Sequence, residues 1–261
     1  MMASLAANLA VQRRVIVALL IRELNTRFGR ENIGFLWIAA EPLLFAGLVA
    51  LVWNFAKGPT ENGIGIVAFI VTGYLPLTFL RHSFGRCTNI FIANGSLLYH
   101  RQIQILDFVF VRVLIEMMGA MIAYAFIGIL LMYFDLFPVP ADIGMLIAGW
   151  ALYSLFVLSM CLLIAPLSEM SEVLEKILPV TVYISIPVSG TFTMASWLTP
   201  RARDFVLWSP LVNAMEMMRY GIFGDDVRPY YNPWNPVIAS LALLPFGLAL
   251  CRRIRRNLVV E

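Results

Sequence analysis

The chain has 261 residues, of which 61% are hydrophobic and 13% charged, with a net charge of +3. Soluble domains carry about 25% charged residues, so this composition excludes a soluble enzyme and indicates an integral membrane protein. At about 20 residues per spanning helix, the length allows six spans with short loops and no separate catalytic domain. The basic residues flank apolar stretches, which is typical of membrane proteins and does not indicate nucleic-acid binding.

The first 33 residues are predicted to form an interfacial segment. Apolar residues recur every four positions between Val11 and Phe28, which indicates an amphipathic helix at the cytoplasmic membrane surface. The alternative is a plain extension of the first span. We expect no cleavable signal, because Arg13 and Arg14 follow the apolar start and do not precede it.

A membrane domain is predicted over residues 34–251, beginning with spans at 34–54 and 64–80. The first contains Glu41, and a carboxylate inside an apolar helix is a candidate functional residue. Its alternative role is a hydrogen-bonded structural residue at a dimer interface. Gly73 and Pro76 interrupt the second span. Between residues 57 and 63, Gly, Pro and Asn predict a turn.

Residues 81–107 are predicted to form a basic cytoplasmic loop with a short apolar helix at 88–93. This loop contains both histidines, which lie eighteen residues apart without a suitably spaced third ligand and do not predict a metal site. Two spans follow at 108–134 and 143–165. Arg112 and Glu116 are four residues apart in the first of them and are expected to pair. An acidic loop begins at Glu169.

The predicted fifth span, at residues 177–198, is too rich in hydroxyl groups to face lipid. We expect it to face a polar path or a second protomer. Residues 199–235 are predicted to lie outside, with a helix starting at Ser209-Pro210 and an ion pair between Glu216 and Arg219, which are three residues apart. The sixth span, at 234–251, ends in a basic tail at 252–261.

The distribution of basic residues predicts that both termini are cytoplasmic. In this topology fourteen of the nineteen lysines and arginines lie inside, as the positive-inside rule requires. The two halves share no pattern of Gly and Pro, which argues against an inverted-repeat secondary transporter. The sequence lacks HExxH, GxSxG and Walker A motifs, so neither catalysis nor a cofactor is predicted on this chain.

Three motifs carry a resemblance to a known family. They are RELNTRFGRENIGFLWIAAEP at 22–42, NGSLLYHRQ at 94–102 and SPLVNAMEMMR at 209–219. Together they resemble the permease subunits of ABC exporters of the ABC-2 type, in particular those for capsular polysaccharide and the related O-antigen and teichoic acid exporters. The chain departs from the family pattern at Phe35, where Tyr is usual, and at Ser209, where Asn is usual.

The resemblance implies an all-α fold with six transmembrane helices, a cytoplasmic coupling helix and short re-entrant helices before the last span. It also implies a homodimer in a bacterial inner membrane that works with two ATP-binding subunits, which hold ATP and Mg. The implied substrate is a lipid-linked polysaccharide. In Gram-negative cells the expected further partners are a periplasmic copolymerase and an outer-membrane channel.

Candidate site residues follow from this resemblance and from the chemistry of sugars, which stack on aromatic rings and form hydrogen bonds with polar side chains. The predicted substrate path contains Trp37, Glu41, Tyr183, Phe192 and Trp197. Their alternative roles are packing and interfacial anchoring.

The coupling segment is predicted to dock on the ATPase. In this prediction the inserting residues are Asn89, Ile90, Phe91 and Asn94, and the anchoring residues are Leu97, Leu98 and Tyr99. The alternative functions are export of O-antigen or teichoic acid, and secondary transport of a small molecule. Co-purification with an ATPase distinguishes secondary transport from the ABC mechanism.

Overall fold

The computed structural model describes residues 2–28, 34–88, 90–98 and 103–258, and these are almost entirely helical. The helices are α1 (Met2–Phe28), α2 (Gly34–Lys57), α3 (Ile66–Cys87), α4 (Gly95–Leu98), α5 (Ile105–Tyr133), α6 (Ile143–Met170), α7 (Glu172–Ser185), α8 (Pro200–Val206), α9 (Pro210–Phe223) and α10 (Trp234–Leu258). A small hairpin pairs β1 (Thr60–Glu61) with β2 (Ile64–Gly65). Asn62 and Gly63 have φ angles of 52° and 84°, as expected for the tight turn of a hairpin.

Four helices in the described part of the chain are long and apolar enough to cross a membrane. They are α3, α5, α6 and the Trp234–Ile254 part of α10. In addition, α2 has 24 residues and includes the apolar stretch Leu43–Trp53. The predicted all-α membrane class is therefore confirmed.

The predicted fifth span is not one continuous helix. The corresponding helix, α7, has 14 residues, about 21 Å at 1.5 Å per residue, which is shorter than the hydrocarbon core of a bilayer. A 3-10 turn at Ile186–Val188 follows it, and Gly190 then adopts a φ of +77°. Pro187 lacks a backbone N–H and Gly190 takes a left-handed conformation, so the helix ends before the predicted boundary.

Helix α3 occupies the centre of the bundle and contacts α2, α5, α6, α7 and α9. It continues to Cys87, beyond the predicted end at residue 80, because its last turns remain packed: Ser83, Phe84 and Cys87 are buried. The segment that follows α3 is therefore shorter than predicted. Within residues 90–98 the helical part begins at Ile92, later than expected, with a 3-10 turn followed by α4.

Helix α6 packs closely against α9 and α10 because glycines lie at the contacts. A Cβ atom at Gly149 would lie 2.6 Å from Cγ of Met218, and one at Gly221 would lie 2.5 Å from the backbone nitrogen of Leu146. Small residues allow this close approach of helices in membrane proteins. As predicted, the two short helices α8 and α9 precede the last long helix.

Candidate functional site

A buried arginine ties α9 to the irregular segment after α7. The Arg219 side chain is 0% exposed. Its Nη1 donates to the carbonyl oxygens of Gly190 at 2.7 Å and Thr193 at 2.9 Å, and its Nη2 donates to that of Thr191 at 2.8 Å. We call Arg219 and these three carbonyl groups, together with Glu216, the arginine clamp.

Glu216 completes the clamp from the same helix. Its Oε1 lies 3.7 Å from Nη1 of Arg219 and accepts a hydrogen bond from the backbone N–H of Ala195 at 3.2 Å. Burial raises the pKa of Glu216, and burial lowers the pKa of Arg219 to about 10. Because about 10 lies well above neutral pH, Arg219 stays charged and holds the three carbonyl groups through charge-assisted hydrogen bonds.

Gly73 of α3 makes room for the clamp, a role that sequence reasoning missed. A Cβ atom there would lie 2.3 Å from the carbonyl oxygen of Thr191 and 2.7 Å from Nη2 of Arg219. The sequence indicates only that a glycine interrupts an apolar helix. The residue beside Gly73 is set by a contact between α3 and α9, two helices that are far apart in the sequence.

An aromatic cluster adjoins the clamp. Trp53 lies 6.0 Å from Phe69 and 6.2 Å from Phe192 between ring centroids, and Phe69 lies 4.5 Å from Trp197. The guanidinium carbon of Arg219 lies 4.5 Å from the centroid of the Phe69 ring, within the range of a cation–π interaction. The cluster thus connects α2 and α3 to the loop that the clamp holds.

The predicted path residues do not all come together. Phe192 and Trp197 are half-buried in the aromatic cluster, whereas Tyr183 is 64% exposed on α7. The backbone of α2 includes Trp37 and Glu41, but their side chains lie outside the part of the protein that the structure describes.

A second polar network lies near the other end of α3. Arg86 Nε is 2.7 Å from Glu116 Oε1, and His82 Nδ1 is 3.8 Å from Glu116 Oε2. Arg112 Nε is 3.2 Å from Oε1 of Glu23 on α1, and its Nη1 donates to the carbonyl oxygen of Arg86 at 2.6 Å. The expected pairing between Arg112 and Glu116 is thus replaced by pairing between helices, because α1 and α3 bring their own charged groups to α5.

The predicted docking residues of the coupling segment are largely buried within the protomer. Ile90, Phe91 and Asn94 have exposures of 0 to 2%. The Asn94 amide donates to the carbonyl oxygen of Ile90 at 2.8 Å and accepts a hydrogen bond from Arg22 of α1. In this conformation Ile90, Phe91 and Asn94 are not free to insert into a partner, because their side chains already pack against their own chain.

The structure describes the other predicted residues of the coupling segment only in part. Leu97 is half-buried against the core, as an anchoring role requires. Asn89, Tyr99 and the side chain of Leu98 lie outside the described residues.

Comparison with known proteins identifies relatives over nearly the whole chain. No family model matches. The chain is 38% identical over 250 residues to the capsule polysaccharide export inner-membrane protein CtrC of Neisseria meningitidis serogroup B, covering 96% of this chain and 94% of the relative. It is 36% identical over 250 residues to the capsule polysaccharide export inner-membrane protein BexB of Haemophilus influenzae, with the same coverage. It is 22% identical over 246 residues to the polysialic acid transport protein KpsM of Escherichia coli, covering 93% and 94%.

Proposed function

Because the chain belongs to the family of capsule polysaccharide export inner-membrane proteins, we propose that it is the permease subunit that moves a lipid-linked capsular polysaccharide across the bacterial inner membrane. The observation that carries this proposal is the 38% identity to CtrC over 96% of the chain. The four long apolar helices agree with a membrane-embedded transport role.

We propose that ATP hydrolysis on separate subunits drives the transport. The sequence contains no Walker A motif, which supports a source of energy on another molecule or in an ion gradient. In the proposed assembly, two copies of the chain form a homodimer that binds two ATP-binding subunits with their ATP and Mg. A periplasmic copolymerase and an outer-membrane channel would continue the export route.

Because much of the coupling segment is buried, we propose a different mode of docking on the ATPase. Ile90, Phe91 and Asn94 would hold the segment against α1 and the bundle, while the exposed face at Ala93, with Asn89, would contact the ATPase. Leu97 and Leu98 keep the proposed anchoring role. A movement of the ATPase would then reach α1 through the Arg22–Asn94 hydrogen bond.

We propose that the chain crosses the membrane six times with both termini in the cytoplasm. The basic residues favour this orientation, with α2 and the region of α7 completing the set of spans. Cysteine labelling tests it with little background, because Cys87, Cys161 and Cys251 are all buried. Cysteines introduced at Gly58 and Asp226 should react from outside, and one at Glu172 from inside; reaction of Glu172→Cys from outside would contradict the topology.

For the substrate path, Tyr183 is the candidate whose ring is exposed. We propose that it faces the path or the second protomer, with Trp37 and Glu41 near the same surface. Phe192 and Trp197 would border the path while packing in the aromatic cluster.

A gene deletion in an encapsulated bacterium tests the proposed function. Cells that lack the chain should accumulate lipid-linked polysaccharide in the cytoplasm, and the wild-type gene should restore surface capsule. Deletion of the partner ATPase gene should have the same effect. Capsule export that continues without the chain would refute the proposal, and export that continues without the ATPase would favour secondary transport.

A further inference from the structure

An open groove lies between α8, α9 and the start of α10. Its volume is about 670 Å³, and its lining includes Asp204, Trp208, Tyr230, Tyr231, Asn232 and Asn235. This volume lies within the roughly 300–1,000 Å³ of small-molecule sites. The groove belongs to the segment before the last span, and its described lining contains none of the predicted path or docking residues whose side chains the structure describes.

Hydrogen bonds from two asparagines hold the walls of the groove in place. Asn213 is 2% exposed; its amide nitrogen donates to the carbonyl oxygens of Leu207 at 2.6 Å and Ser209 at 2.9 Å. Its amide oxygen accepts from the backbone N–H of Asn232 at 2.7 Å. Asn235 donates to the carbonyl oxygen of Leu207 at 3.2 Å. These bonds fix the groove before any ligand arrives, which lowers the entropic cost of binding.

The lining combines flat rings with hydrogen-bonding groups. The Trp208 ring is 83% exposed and offers an apolar face. Tyr231 supplies a hydroxyl group that can both donate and accept a hydrogen bond, and burial, followed by the neighbouring Tyr220 and Asp142, raises its pKa. Asp204 supplies carboxylate oxygens, which accept hydrogen bonds from hydroxyl donors. The guanidinium carbon of Arg203 lies 4.2 Å from the centroid of the Tyr230 ring and so stacks on it.

This chemistry favours a sugar over a lipid. The CH face of a sugar ring can lie on Trp208 while its hydroxyl groups form hydrogen bonds with Asp204 and Tyr231. An acyl chain would leave these polar groups without partners, whereas the Asp204 carboxylate and the nearby Arg203 guanidinium provide charged groups of both signs at the groove. From this we infer that the groove is a binding site for a saccharide unit of the exported glycan; the inference rests on the proposed function.

Direct binding tests the inference without requiring export. The protein is purified into lipid nanodiscs, and saturation-transfer NMR is recorded with oligosaccharides hydrolysed from the capsule of a strain that uses this chain. The wild type should transfer saturation to protons of these oligosaccharides. Trp208→Ala and Asp204→Asn should each weaken binding about tenfold, the equivalent of one strong contact.

Trp234→Ala is the matched control, because Trp234 is 67% exposed but does not line the groove. It should leave the affinity within about twofold of the wild type. Equal losses in Trp208→Ala and Trp234→Ala would identify both as membrane anchors and overturn the inference.

The complementation experiment separates this inference from the proposed function. If the wild-type gene restores capsule but the purified protein binds none of the oligosaccharides, the groove is not a saccharide site and the proposed function stands. If the deletion strain still exports capsule, the proposed function fails, and the inference, which rests on it, fails with it.

Discussion

The two polar regions that flank the centre of α3 differ in their contact with water. Arg219 of the arginine clamp is 0% exposed, whereas Arg86 of the network around Glu116 is 44% exposed. When a buried charged group loses its partners, water cannot replace them, whereas water can hydrate an exposed charged group. The clamp is therefore a fixed connection, whereas in the network Arg86, though not the buried Glu116, can exchange its partner for water.

This difference fits the separate roles that we propose for the clamp and for the network in transport. The loop held by Arg219 adjoins the aromatic cluster and would keep its shape through the transport cycle. The network joins α1, α3 and α5 through the pair of Arg86 with the buried Glu116 and the partly exposed pair of Arg112 with Glu23. Helix α1 also contacts the coupling segment. We expect a movement imposed by an ATPase to change the network first.

The largest expected effect comes from removing the arginine of the clamp. Arg219→Ala leaves three carbonyl groups and Glu216 without their buried donor, and breaking a buried pair costs about 3–5 kcal/mol. Arg219→Lys should rescue little, because an ammonium group lacks the planar fork that reaches several acceptors. Thermal unfolding in detergent measures both. The control is Arg201→Ala in α8, where the side chain is exposed, and an unchanged melting temperature in Arg219→Ala would show that the clamp does not stabilise the fold.

A second way to break the clamp is to fill its space. Gly73→Ala places a methyl group 2.3 Å from the carbonyl oxygen of Thr191, and overpacking of this kind costs about 1–3 kcal/mol. The control is on the same helix: a Cβ atom at Gly85 meets nothing within 4 Å, so Gly85→Ala should be neutral or stabilising by up to about 1 kcal/mol. The same unfolding assay decides, and equal melting temperatures for the two variants would contradict the close packing.

The network should tolerate the loss of a charge better. Glu116→Gln weakens the 2.7 Å contact with Arg86, but Arg86 can be hydrated. Because Glu116 itself is 5% exposed while Arg86 is 44% exposed, we expect a cost of about 1–2 kcal/mol, between that of a surface pair and that of a buried pair. The exposed Glu172 provides the control Glu172→Gln. A loss as large as that of Arg219→Ala would mean that the two regions do not differ as described.

The membrane class and most helices could be predicted because they depend on local hydropathy and on short-range patterns. The end of α1 at Phe28 and the start of α9 at Pro210 match the predictions, as both follow from signals within a few residues. The pairing of Glu216 with Arg219 is likewise an interaction within one helix turn.

What could not be predicted depends on contacts between distant segments. Arg112 has a possible partner four residues away, yet it lies against Glu23 of another helix. Phe91 looks like an exposed docking residue in a basic loop, and its burial depends on where the rest of the chain packs. The groove with Trp208 joins α8, the segment before α10 and Asn213 of α9, and no single motif contains it.

Substitution of Arg22 on α1 is expected to have the smallest effect on stability. It also tests most directly whether the coupling segment signals through α1. The Arg22 side chain is 41% exposed and donates to Asn94, so Arg22→Ala should cost less than about 1 kcal/mol. If the coupling segment signals through α1, the same substitution should reduce transport per ATP hydrolysed in the reconstituted complex, although ATPase subunits still co-purify. Arg14→Ala is the matched control, because Arg14 is exposed on the same helix and, within the described residues, donates to the carbonyl oxygen of Ala10 of its own helix at 3.4 Å. Since Arg22 and Asn94 act through one hydrogen bond, the double variant Arg22→Ala/Asn94→Ala should lose no more coupling than Asn94→Ala alone. Additive losses would mean that the two residues act on transport separately and that α1 does not receive its signal from the coupling segment.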